Sequence, residues 1–219
     1  SMVFMKPGTL LAEIFLDAGY FTAPVMCYFL VEGYGYTRSV KKYGERLLLF
    51  ALISQIPFCL AFTSEGILDF VGMNMLFTLF LCLLIIKAMK EMTDPVIRTL
   101  CIAGLVFVSM FSDWAILAPV FTILFVRAGN SEDAKKKAFI TGTLIFGGFN
   151  FLGGMGRFSL MTDVVYMLGS MVGPALAGIC ILFLYNGKRA EKNRKFSKWF
   201  FYWFYPVHLT ILGLIRILG

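Results

Sequence analysis

Long apolar blocks, bounded by turn residues or by charge, set the pattern of this chain. Leu47 to Phe62, Val71 to Ile86 and Phe139 to Leu152 carry no charged residue, and each is about long enough to cross hydrocarbon. In a bilayer every amide must find its partner within the segment, and the alternating, turn-punctuated pattern of a membrane barrel is absent. The blocks therefore predict helices, and the fold class is all-α: a polytopic transmembrane helix bundle.

Lys and Arg divide the chain more sharply than hydropathy does. They fall into four clusters: Arg38, Lys41, Lys42 and Arg46; Lys87, Lys90 and Arg98; Arg127 with Lys135, Lys136 and Lys137; and Lys188 to Lys198 through Arg189, Lys192, Arg194 and Lys195. Only Lys6, Arg157 and Arg216 lie elsewhere. Placing all four clusters in the cytoplasm requires an even number of spans between them, and each interval divides at a turn signal. The first divides at Thr63-Ser64-Glu65-Gly66, the second at Phe111-Ser112-Asp113-Trp114 and the third around Gly153 to Arg157. The second interval gives two short limbs, thin, tilted or re-entrant. A span from about Leu10 to Val31 and another from about Trp199 to Leu218 complete eight. Both ends then lie outside, and the expectation is a missing first helix that would return the N-terminus to the cytoplasm. With no internal repeat, residues 1–219 read as one integral membrane domain.

Composition removes the soluble alternative, since 59% of residues are hydrophobic, 15% are charged and 24 are Phe. The start of the chain does not read as a secretory signal, because Glu13 and Asp17 interrupt its apolar run. The five cysteines, Cys27, Cys59, Cys82, Cys101 and Cys180, lack close pairing and read as buried thiols. No metal site and no nucleic-acid partner is expected.

Polar groups inside such a bundle are costly and mark candidate sites. His208, the one histidine, lies about ten residues into the last span, roughly 15 Å along the helix and near mid-membrane. Pro206 beside it frees a backbone carbonyl one turn earlier. An imidazole can exchange a proton near neutral pH, or accept an acyl group itself; its bland role is a hydrogen bond to a neighbouring helix. Tyr205 either orients His208, donates to an oxyanion or simply packs. Glu13 and Asp17, one turn apart, are candidate partners for a base or for His208; Asp113 and Asp163 fall near outer turns. Gln55, Asn74 and Asn150 are set to bond between helices or to line a polar path.

The segment Glu32 to Arg46, EGYGYTRSVKKYGER, alternates cations with tyrosines at the cytoplasmic edge. Its charge orients the chain. It also suits a nucleotide-bearing molecule, because Arg and Lys bind phosphates and tyrosine stacks on a purine. No Walker loop or dinucleotide fingerprint accompanies it, which leaves ATP hydrolysis unsupported.

EGYGYTRSVKKYGERL, then SQIPF at Ser54 to Phe58, NMLFTL at Asn74 to Leu79 and FYWFYPVHL near the end resemble the TraX family, in order and over about Ala18 to Leu214. The resemblance implies a bacterial inner-membrane protein within the wider group of transmembrane acyltransferases, connected with acetylation of pilin N-termini and using acetyl-CoA as donor. It carries over Arg38, Lys42, Tyr43 and Arg46 in the first motif, and Tyr205, Pro206 and His208 in the last. The family commonly opens with a further helix bearing an Asp-His pair, which this sequence lacks. The function expected is acetyl transfer from cytoplasmic acetyl-CoA to a peptide or pilin amine or an envelope hydroxyl. Arg38, Lys42, Tyr43 and Arg46 would hold the donor; His208, with Tyr205, would serve catalysis. The alternatives are a transporter or flippase for a polar solute, and a structural partner in a pilus or secretion assembly.

Overall fold

The computed structural model describes residues 10–63, 66, 68–156, 159–187 and 194–218, with side chains from residue 19 onward except 194–198 and 201. Eight α-helices fill these residues: α1 (Leu10–Tyr36), α2 (Val40–Phe62), α3 (Met75–Glu91), α4 (Pro95–Ser109), α5 (Leu117–Ala128), α6 (Glu132–Gly154), α7 (Leu160–Ile179) and α8 (Arg194–Leu218). A π-helical turn, Cys180–Leu184, extends α7. The chain is all-helical, as the blocks predict, and the turns at Phe111 to Trp114 and after Gly154 fall where expected. Ser64, Glu65, Arg157, Lys188, Arg189 and Lys192, and the side chains of Glu13, Asp17, Arg194, Lys195 and Lys198, lie outside the described residues.

Helix starts follow local chemistry. Ser39, Asn74, Asp94, Ser131 and Ser159 each accept a backbone N–H of the first turn they precede, satisfying donors that the helix leaves open. Pro95 sits at the first position of α4, where its missing N–H costs nothing.

The eight expected spans are matched only in part. Among the described residues, Val40–Phe62 and Leu160–Leu184 are the two helices both long and apolar enough to cross a membrane. Helices α4 and α5 have 15 and 12 residues, hence about 22 and 18 Å of length, short of the roughly 30 Å of hydrocarbon. Large apolar side chains nevertheless cover the outside of the bundle, among them Leu100 at 67%, Phe183 at 73% and Met161 at 75% exposure. An apolar exterior of this extent is foreign to a water-soluble monomer.

Helix α8 packs along α2, which in turn packs on α3. On the other side, α1 lies against α7, α5 and α3, and α6 bridges α5 and α7. Hydrogen bonds from Tyr34 to Glu91 and from Tyr185 to Glu32 gather the C-terminal ends of α1 and α3 and the end of the π-helical turn at one end of the bundle, here the basic end; the bond from Arg216 to Thr63 O joins the C-terminal ends of α8 and α2 at the far end. Helix α3 starts late. Residues 68–74 run back along α2 without helical structure, and Asn74 meets Ala51, 11 residues before the end of α2. Eleven helical residues rise about 16 Å, which five extended residues also cover. The non-helical backbone thus descends into the middle of the bundle.

Candidate functional site

At that depth the backbone is satisfied by protein. Met73 N–H donates to Phe111 O at 3.0 Å and Asp113 N–H to Met73 O at 2.8 Å, tying the descent to the α4–α5 turn. Gln55 Nε2 donates to Gly72 O at 2.7 Å. Asn74 uses all four hydrogen-bonding positions of its side chain: Oδ1 accepts from Leu76 and Phe77 N–H, while Nδ2 donates to Ala51 O at 2.7 Å and Gln55 Oε1 at 2.9 Å. Thr78 Oγ1 donates within 2.6 Å of Asp113 O. Irregular backbone persists inside a membrane only where protein or a water-filled cavity meets it, and the network meets that condition.

Helix α8 joins this floor through Tyr205, whose hydroxyl accepts Met75 N–H at 3.2 Å. Its ring edge contacts His208, with centroids 5.5 Å apart. The tyrosine therefore packs on the histidine while its oxygen serves α3. His208 is half-buried, stacked on Phe204 at 5.0 Å, with Nδ1 2.9 Å from Phe204 O. A carbonyl only accepts, so Nδ1 carries the proton in the neutral ring and Nε2 holds the free lone pair.

Toward the basic end, the same α2–α8 seam holds Arg46. Its guanidinium lies 5.9 Å from the Tyr43 ring centroid and faces the Tyr202 side chain. Its Nε is buried with no hydrogen-bond partner among the described residues. Phe50 stacks on Tyr202 at 4.9 Å and closes the seam from α2. Tyr202 and His208 are six residues apart on α8, about 9 Å along the axis. Arg38 and Lys42 are exposed at the start of α2, and Tyr43 packs where Gly33 of α1 leaves room, its hydroxyl 3.3 Å from a Cβ built there. Tyr34 donates to Glu91 at 2.8 Å and Lys90 lies over its ring, which commits that tyrosine to structure.

The four sequence motifs thus meet along α2, the start of α3 and α8, and a family model for the TraX protein matches residues 3–216. The chain belongs to the TraX family. It is similar to a probable fimbrial assembly protein FimC, serogroup H1, of Dichelobacter nodosus, with 29% identity over 219 residues covering 97% of this chain and 86% of the relative. No solved structure matches it.

In this TraX chain the sequence-predicted residues separate into three places. Arg46 and Tyr43 stand at the seam with Arg38 and Lys42 exposed beside them; Tyr205 and His208 stand nearer its middle; Gln55 and Asn74 form the floor. Asn150 Nδ2 donates to Phe146 O of its own helix, and Asp163 is buried against Gly154. All five cysteines are free, with Cys27, Cys59 and Cys82 buried and the other two half-buried. Among the described residues no cluster of His, Cys, Asp and Glu can hold a metal.

Two residues escaped sequence reasoning. Tyr202 looked like one more aromatic in a run of them, yet it faces Arg46. Asp113 looked like an ordinary turn acid. Burial pushes its carboxyl up to about 6, against the pull of Trp114 N–H, which donates to its Oδ1 at 3.0 Å. The signal available was the FSDW turn itself, in which Trp114 takes φ 54°, a left-handed conformation that side chains rarely adopt.

Proposed function

We propose that this TraX chain is a multi-pass protein of the bacterial inner membrane, basic loops cytoplasmic, that moves an acetyl group from cytoplasmic acetyl-CoA to an amine acceptor. The observation that carries this reading is the α2–α8 seam. It sets the Arg46 guanidinium, whose Nε–H is buried and unpartnered among the described residues, against Tyr202, which lies six residues or about 9 Å of α8 from the His208 imidazole. A donor N–H without an acceptor suits phosphate oxygens, with Arg38 and Lys42 adding charge at the entrance.

In this scheme the acceptor amine attacks the thioester carbonyl carbon. The C–N bond forms, the C–S bond breaks and the CoA thiolate departs, while His208 Nε2 takes the proton released by the amine. Tyr205, bound to Met75 N–H, holds its ring against His208 and fixes that edge of the imidazole. The family relationship supports a role in pilus assembly or pilin modification, and makes a pilin N-terminal amine the acceptor class to assay first.

The test uses the full chain in nanodiscs with labelled acetyl-CoA and a peptide amine. His208→Ala is expected to lower transfer by about 10²–10⁴-fold with donor binding retained. Arg46→Ala is expected to weaken acetyl-CoA binding by about 1–3 kcal/mol, the worth of a charge-assisted hydrogen bond. Equal turnover in the histidine variant removes it from the mechanism, and unchanged affinity in the arginine variant reduces the rim to an orientation signal. A second reading, a non-enzymatic assembly partner, is favoured by the name of the Dichelobacter relative. It predicts co-purification with pilin that is indifferent to His208→Ala.

A further inference from the structure

Across the floor from the seam, an open cavity of about 240 Å³ lies at the far end between α1, the α4–α5 turn, α5 and α6. Its wall is aromatic. Trp114 and Phe146 are stacked at 5.1 Å, Tyr20 meets Phe146 edge-on at 4.9 Å, and Phe149 completes the lining. Two of its polar side chains present acceptors. Asp113 contributes a carboxylate with one oxygen engaged by Trp114 N–H. Asn150 spends its amide N–H on Phe146 O, which leaves its carbonyl oxygen as an acceptor.

Among the described residues no Lys or Arg pairs with Asp113. An isolated carboxylate half-sunk among rings is costly, and so is the left-handed backbone that holds Trp114 beside it. A turn built only for stability would place Gly or Asn at 114. The complement to a carboxylate, a carbonyl oxygen and aromatic faces is a compact cation that donates several hydrogen bonds.

We propose that this cavity binds a primary ammonium group, with Asp113 as counter-ion, the Asn150 carbonyl as second acceptor and Tyr20, Trp114 and Phe146 as its wall. Its volume suits an alkylammonium of a few carbons. The inference is independent of acetyl transfer, since it concerns binding alone. A soluble amine and the ethanolamine headgroup of a lipid both present this chemistry.

The full chain carrying Trp199→Phe and Trp203→Phe keeps Trp114 as its one tryptophan reporter. In phosphatidylcholine nanodiscs, n-propylammonium chloride is expected to change Trp114 fluorescence saturably, while n-propanol at equal concentration does not. Asp113→Asn is expected to weaken binding by at least about ten-fold and Asp113→Glu to retain it in part. Equal responses to the ammonium and the alcohol overturn the proposal, as does wild-type affinity in Asp113→Asn. The ammonium-alcohol contrast decides the matter in the unaltered site even where the asparagine variant fails to fold. Replacing half the lipid by phosphatidylethanolamine separates the sources: a drop in apparent affinity identifies the headgroup as a competing occupant, and no drop identifies soluble amines.

Discussion

Where α8 meets α2 and the start of α3, side-chain hydrogen bonds join the helices; where α6 meets α5 and α7, missing side chains do. On the first side Gln55, Asn74, Thr78 and Tyr205 knit irregular backbone to helix. On the second, Gly142 lies so close to Phe121 that a Cβ there would sit 2.3 Å from the ring, and Gly147 and Gly178 admit Met171 and Phe139 in the same way. Small residues bring helices to van der Waals contact without directional bonds, while the polar side fixes atoms in particular places. The difference teaches where chemistry is to be sought. A packed glycine face gives rigidity and little else; the polar face holds an imidazole, a guanidinium and a broken backbone within a few turns of one another.

The contrast breaks most visibly at Asn74. Asn74→Ala removes the α3 cap and strands Gln55 and Ala51 O, and is expected to cost about 2–4 kcal/mol of stability, read as a lowered melting temperature in detergent. An unchanged melting temperature would mean that the floor network contributes nothing. On the glycine side, Gly142→Ala must displace Phe121 and is expected to cost about 1–3 kcal/mol while leaving acetyl-CoA affinity as it was. A loss of affinity there would dissolve the distinction between the two sides.

Asp113 gives the most informative effect, because it sits between them. Its folded pKa, about 6, lies above the ordinary carboxylate value near 3.9, so the folded state binds the proton more tightly than the unfolded chain does. Stability is therefore greatest below about pH 4, falls as pH rises from about 4 to 6, and stays lower by about 3 kcal/mol above that. Asp113→Asn is expected to remove this slope and to raise stability at pH 7 while abolishing ammonium binding. A slope unaltered by the substitution would place the titration on another group.

Much of this was legible beforehand. The basic clusters at Arg38 to Arg46, Lys87 to Arg98 and Arg127 to Lys137 fall at helix ends. His208 stood out because nothing else in the apolar background resembles it. The depth at which α3 begins was not legible, since Val71 to Asn74 carry no charge and run straight into the apolar helix that follows. Hydropathy reports what lies near lipid or protein and does not distinguish helix from a short extended descent. Nor did the spacing of FYWFYPVHL reveal that Tyr205 would spend its hydroxyl on Met75, 130 residues away.

By itself, then, the sequence determined that this protein is helical and which helix ends carry charge, because amide satisfaction and charge are decided within a few residues. Only the tertiary structure decided that Arg46 faces Tyr202, that Tyr205 reaches Met75 and that Asp113 lines an aromatic cavity. Those depend on which faces of distant helices meet, and an apolar surface that suits lipid and protein equally well leaves that choice to packing.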